Sequence, residues 1–125
     1  MAQRSILPVA YSSLAPLSTW RQAKGHVKAS AKSSVLANAK SSPFASIAAR
    51  YEDSNGVAVD EARLLLRWAV QQGWPVLPKS SQQERVLSNM DLFSFAISDE
   101  DMVAMTAMNQ NVAMAWGAGD PCDTP

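Results

Sequence analysis

The chain has 125 residues, 47% of them hydrophobic, which is enough for one ordinary domain with a buried core. No apolar run approaches the ~18 residues of a membrane span, and a single cysteine, Cys122, excludes an internal disulfide framework and fits a reducing, cytoplasmic compartment. The 11 basic and 11 acidic residues balance but are divided along the chain: up to Arg50 every charged residue is basic, and the first acid is Glu52. Such a division marks a nucleic-acid arm, a targeting segment or a phosphate-facing half.

Ile6 to Tyr11 (Ile-Leu-Pro-Val-Ala-Tyr) is a short apolar run that reads as a buried strand with Pro8 near its start. Ser12-Ser13-Leu14-Ala15-Pro16-Leu17 then leaves it as a loop. Positions 17–42 are rich in Ala, Ser and Lys, contain no acid, and read as a basic flexible loop. Within it Lys24, Lys28 and Lys32 recur at i, i+4 and i+8, which on a helix would place them on one face, within reach of phosphates. A transit peptide over the acid-poor first 50 residues is a second reading of the same composition, but it would waste the strand pattern at Ile6 to Leu14. No recognisable module or aromatic platform accompanies the basic charge, so no nucleic-acid partner is expected.

Ser42-Pro43 reads as an N-cap followed by a proline at the first helical position. Phe44, Ile47, Ala48 and Tyr51 then form one apolar stripe of a short helix that ends before Asn55-Gly56. The strongest helical pattern runs from about Asp60 to Gln72, with Ala62, Leu65, Leu66, Ala69 and Val70 able to face a sheet and Trp68 packing in the core. Gly73 closes that helix and Pro75 forbids its continuation. Pro75 to Pro78 is short, apolar and bounded by prolines, which suits a buried parallel strand. With Ile6 to Tyr11 and the intervening helix it would make a right-handed βαβ unit.

Ser81 and Glu84 stand at capping-box spacing, so a new helix is expected from about Gln82. Strand, tight turn and helix start outline an anion site, because the free N–H groups and positive dipole end of the helix face whatever lies over the strand's end. Lys79 leaves from that end, Arg85 sits one turn into the helix, and Ser80 and Ser81 add hydroxyl donors. Each charge-assisted contact to a phosphate would contribute roughly 1.5 to 3 kcal/mol. From spacing alone, an ordinary surface loop with solvated cations remains the alternative. Further on, Phe93 and Phe95 alternate through a short exit, and Ser98 with Asp101 caps a helix from about Asp99 to Met108 whose Met102, Met105 and Met108 read as packing. The tail at 109–125 has no regular pattern.

Leu66-Arg67-Trp68-Ala69, Gly73, Val76-Leu77-Pro78-Lys79-Ser80-Ser81, Arg85, Asn89 and Phe93 together resemble the C-terminal signature of the aldo-keto reductase family, without a gap from about Asp60 to Asn109. The resemblance implies an α/β fold, the C-terminal part of a (β/α)₈ TIM barrel with two parallel strands, flanking helices and an irregular tail. It also implies NADP(H) as cofactor. Lys79, Ser80, Ser81 and Arg85 would contact the adenosine 2′-phosphate and Asn89 the adenine, while Ser88 departs from the Glu or Gln that many members carry. Ala10-Tyr11-Ser12-Ser13-Leu14 is similar to the family's seventh strand, which would make Tyr11 the residue stacked on the nicotinamide and put Ser12 and Leu14 at the pyrophosphate. Ser13 and Ala15 depart from that motif. In the family the tail folds over the active site, and Trp116 is the residue nominated for substrate contact.

A whole barrel of this type needs about 250 residues, so the chain is expected to be an incomplete domain. The family transfers hydride between NADPH and a carbonyl using Tyr, Lys, Asp and His from earlier strands, and no residue here matches those positions. His26 lies in the basic loop and reads as a solvated histidine. Without a proton donor the chain alone is expected to be catalytically silent. Two strands with unpaired outer edges would further imply marginal stability or self-association, and an interaction piece or a truncated product stands as the alternative function.

Overall fold

The computed structural model describes residues 7–14 and 43–109. The basic loop at 17–42 with His26, the Ser42 cap, and Trp116 and Cys122 of the tail lie outside the described residues. Among those described, four α-helices follow one another: α1 (Pro43–Ala48), α2 (Glu61–Gln71), α3 (Gln83–Met90) and α4 (Asp99–Ala107).

Helix α1 begins at Pro43, where the missing N–H costs nothing, and buries Phe44, Ile47 and Ala48 on one stripe. From its end a tight excursion turns the chain towards α2. Gly56, at φ 74°, donates its N–H to the carbonyl of Asp53 at 2.9 Å, Asp53 and Val57 pair at 2.9 Å, and Glu52 bridges Ala58 in antiparallel fashion. Asp60 caps α2 by accepting from the Arg63 N–H at 2.7 Å. Helix α2 is the central element. Leu64 and Leu66 are fully buried, Leu65 and Ala69 nearly so, and α1 and α3 both pack on it. Burial of three successive leucines means that this helix is covered around most of its girth, beyond the single face expected.

The core gathers Phe44, Ile47 and Ala48 of α1, Val59, Leu64 and Leu65 of α2 and its entry, and Phe95, Ile97 and Met105 near and on α4. Leu14, Tyr51, Trp68, Met102 and Met108 pack against it, in keeping with the packing roles expected of Trp68 and the methionines. The segment before α4 is pinned to α2 by one amide: Gln71 Oε1 accepts from the Ile97 N–H at 2.8 Å and its Nε2 donates to the Ile97 carbonyl at 3.0 Å. Ser98 caps α4 as expected, accepting from the Asp101 N–H at 3.3 Å.

The expected α/β fold, a partial (β/α)₈ TIM barrel with two parallel strands, is not what the described residues form. They are mainly helical, and between the two anticipated strands there is one isolated parallel bridge, Ala10 to Val76, with the Ala10 N–H donating to the Pro75 carbonyl at 2.8 Å. The reason lies in the residues. Pro75 and Pro78 leave only Val76 and Leu77 with donors in their segment, and Pro8 removes another from the first. A two-stranded pair without further neighbours is marginal in any case. The apolar residues meant for a sheet interior accordingly stand in the open: Leu77 is 80% exposed, and Leu7 and Val9 are exposed as well. With the strands go the strand edges through which association was expected.

Candidate functional site

The segment from Gly73 to Asn89 opens on a well-formed helix stop. Gly73, at φ 82°, donates to Val70 at 2.9 Å, and the Trp74 N–H reaches back to Ala69 at 3.0 Å, the paired bonds of a Schellman motif. Trp74 meets Trp68 edge to face with centroids 5.8 Å apart, the apolar contact that accompanies such a stop. The chain then passes the Ala10–Val76 bridge. Because that bridge is parallel, Tyr11 to Leu14 and Leu77 to Ser81 leave it in the same direction and from the same end.

The start of α3 differs by one residue from the expected cap. Helix α3 begins at Gln83, Gln82 occupies the N-cap with extended backbone, and no side chain caps it. Ser81 is exposed and makes no capping bond. Ser80 organises the turn instead: its Oγ accepts from the Gln82 N–H at 3.2 Å and donates to the Gln82 carbonyl at 3.3 Å. Among the described residues the N–H groups of the first turn of α3 are thus left without a side-chain acceptor, with the positive end of the helix dipole behind them.

Lys79 is exposed just before that turn, and Arg85 is exposed within it. Neither forms an ion pair among the described residues. Asn89, half-buried, lies four residues after Arg85 and so on the same helix face. Tyr11 is 75% exposed, and Ser12 holds a left-handed φ of 57° that redirects the chain after the bridge. Leu14 packs against the core, which accounts for its side chain without any ligand, and the neighbouring Ser13 Oγ is buried without a partner among the described residues. The structure therefore gathers Lys79, Ser80, Ser81 and Arg85 around one helix start. It leads Tyr11 and Ser12 out from the adjoining bridge.

Two polar clusters escaped the sequence reading. Arg63, 5% exposed, binds Asp53 and Asp91 and lies over the Phe95 ring at 5.4 Å. Its one sequence signal was a cation directly adjoining the apolar run Leu64-Leu65-Leu66. Asp101, buried in the first turn of α4, accepts from Arg50 at 2.8 Å and from the Tyr51 hydroxyl, tying the end of α1 to α4. Asp53 is held below the usual carboxylate range by the amides of Val57 and Asn55, which donate to its Oδ1 at 3.0 and 2.9 Å, and by the Arg63 guanidinium. Among the described residues no group of three or more His, Cys, Asp or Glu side chains converges as a metal site would require, and no helix is long and apolar enough to cross a membrane.

Comparison with known proteins finds relatives over parts of the chain. The chain is 36% identical over 80 residues to an uncharacterized oxidoreductase of Schizosaccharomyces pombe, a match covering 64% of this chain and 26% of the relative. It is 40% identical over 50 residues to a glyoxal reductase of Bacillus subtilis, covering 40% of this chain and 18% of that protein. It is 38% identical over 52 residues to an NADPH-dependent aldose reductase of Saccharomyces cerevisiae, covering 41% and 16%. These matches span about a quarter or less of the relatives' own length. No family profile matches the chain, and no solved structure does. Its homologues are aldo-keto reductases, matched over partial regions at 34 to 43% identity, and the chain carries part of that oxidoreductase family's sequence.

Proposed function

We propose that this chain carries the 2′-phosphate half-site of an NADP(H)-binding aldo-keto reductase. The observation that carries the reading is the start of α3: an N-terminus without a side-chain cap, flanked by Lys79 and Arg85 with no ion pair among the described residues. This donor set fits a dianionic phosphate, which would gain roughly 1.5 to 3 kcal/mol from each charge-assisted contact. Lys79, Ser80, Ser81 and Arg85 would hold the 2′-phosphate, Ser80 by turning its O–H from the Gln82 carbonyl to the ligand while its Oγ still accepts from the Gln82 N–H. Asn89 would meet the adenine, and Tyr11, Ser12 and Leu14 the nicotinamide and pyrophosphate end, Leu14 through its backbone.

When bound, NADPH supplies a hydride for a carbonyl. This chain's own residues bind and orient the nucleotide and offer no matched proton donor, so the 125-residue chain by itself has no reductase activity. Reduction of a small carbonyl substrate would require the catalytic Tyr, Lys, Asp and His of the family from other sequence. A cytoplasmic setting, with its NADPH supply, suits this role.

The reading is tested by titrating the purified chain with NADPH and with NADH while following tryptophan fluorescence, alongside Arg85→Ala. Saturable NADPH binding, at least about tenfold tighter than NADH and weakened about tenfold by the substitution, is expected. Equal affinity for the two nucleotides, or binding indifferent to Arg85, would sink the phosphate assignment.

A further inference from the structure

Helix α3 carries Arg85 and Asn89 of the candidate site, yet none of its own residues is buried, and Val86, Leu87 and Met90 are exposed. Apolar packing therefore contributes little to fixing its direction. Its far end is fastened by one side chain of α2. Arg63 Nη2 donates to Asp91 Oδ2 at 2.7 Å and to the Asp91 carbonyl at 3.1 Å, and Nε donates to the same carbonyl at 3.3 Å. Asp91 is the residue directly after α3. The guanidinium is itself held: Nη1 and Nη2 both donate to Asp53 Oδ2 at 3.2 Å, Nη2 reaches Ser94 Oγ at 3.2 Å, and the plane lies over Phe95. A buried, multiply anchored fork thus grips the end of an otherwise weakly packed helix.

We infer that Arg63 is a positioning residue for the phosphate site, setting the direction of α3 and through it the placement of Arg85 and Asn89, without touching the ligand. This rests on the phosphate reading of Lys79 and Arg85. The leverage is geometric. Arg85 lies six residues before Asp91, about 9 Å along the helix axis, so a swing of about 15° at Asp91 moves Arg85 by about 2 Å. A displacement of that size is enough to break hydrogen bonds to a phosphate.

The test compares the full chain with Arg63→Lys and Arg85→Ala. Lysine keeps the charge but cannot serve Asp53, Asp91 and Ser94 from one planar fork. Two quantities are measured: the affinity ratio for adenosine 2′,5′-bisphosphate over 5′-AMP by calorimetry, and hydrogen exchange of backbone amides helix by helix. Arg63→Lys should lower the ratio about tenfold and speed exchange in α3 while α2 and α4 keep their protection. Arg85→Ala should lower the ratio with α3 exchange unchanged. An unaltered ratio in Arg63→Lys overturns the positioning role, and so does an even loss of protection across all helices, which would mark general support of the fold. A wild-type chain that does not distinguish the two nucleotides overturns the phosphate reading first, and the positioning role with it; that result is read from the wild type alone.

Discussion

Asp53 shows how much one carboxylate can organise. Its Oδ1 holds the amides of Asn55 and Val57 and so shapes the turn at Gly56, while its Oδ2 anchors the buried Arg63. Those contacts favour the ionised form, so its pKa lies lower in the folded chain than in the unfolded one. The stability it contributes is present in full above the ordinary carboxylate range and is lost as pH falls through the depressed folded value. Denaturant midpoints measured across pH should stay level from neutrality to about pH 4 and decline below it. In Asp53→Asn the side-chain oxygen can still accept from the two amides, but the charge opposite Arg63 is gone. The variant should be less stable at neutral pH, with a shallower acid decline; an identical acid profile would move the titrating role to another carboxylate.

At the scale of elements, the helix ends carry more of the local specificity than the helix interiors do. Helices α2 and α4 each begin with a side-chain cap, from Asp60 and Ser98, and α2 ends in the Schellman bonds at Gly73. Helix α3 breaks this pattern at its start, where binding is proposed, as is common where local stability gives way to function. Gly73 offers a clean measure of a helix stop. A Cβ built there meets nothing within 4 Å, so the cost of Gly73→Ala comes from its φ of 82° alone. Urea denaturation should show a loss of about 1 kcal/mol. A loss near zero would mean that the turn relaxes out of the left-handed region and the Trp68–Trp74 contact with it.

For the molecule as a whole, the apolar surface left open sets the expected stability. Tyr11, Leu77, Leu87, Met90 and Phe93 are all exposed, and Arg67 covers one side of Phe93 at 5.4 Å. The buried core rests on α1, α2, α4 and the segments joining them, with little support from α3. Unfolding free energy should fall at or below about 5 kcal/mol, the lower end for natural domains. Thermal melts at several protein concentrations check this: a midpoint that rises with concentration would show that association covers the open surface.

By itself the sequence determined the local features, because helix starts, stops and periodicity are written in adjacent residues. Pro43 at the start of α1, the Gly73 stop, the Ser98 cap and the methionine packing are of this kind. Whether two apolar runs become strands is a different question, since a strand needs a neighbour to accept its hydrogen bonds and cover its face. Here the prolines, and the lack of a further neighbouring strand among the described residues, reduced the expected pair to one bridge. The Arg63 clamp was equally beyond sequence reading. It joins positions 10 and 28 residues away along the chain, and only the packing of α2 against the Asp53 turn and the end of α3 brings those carboxylates to one guanidinium.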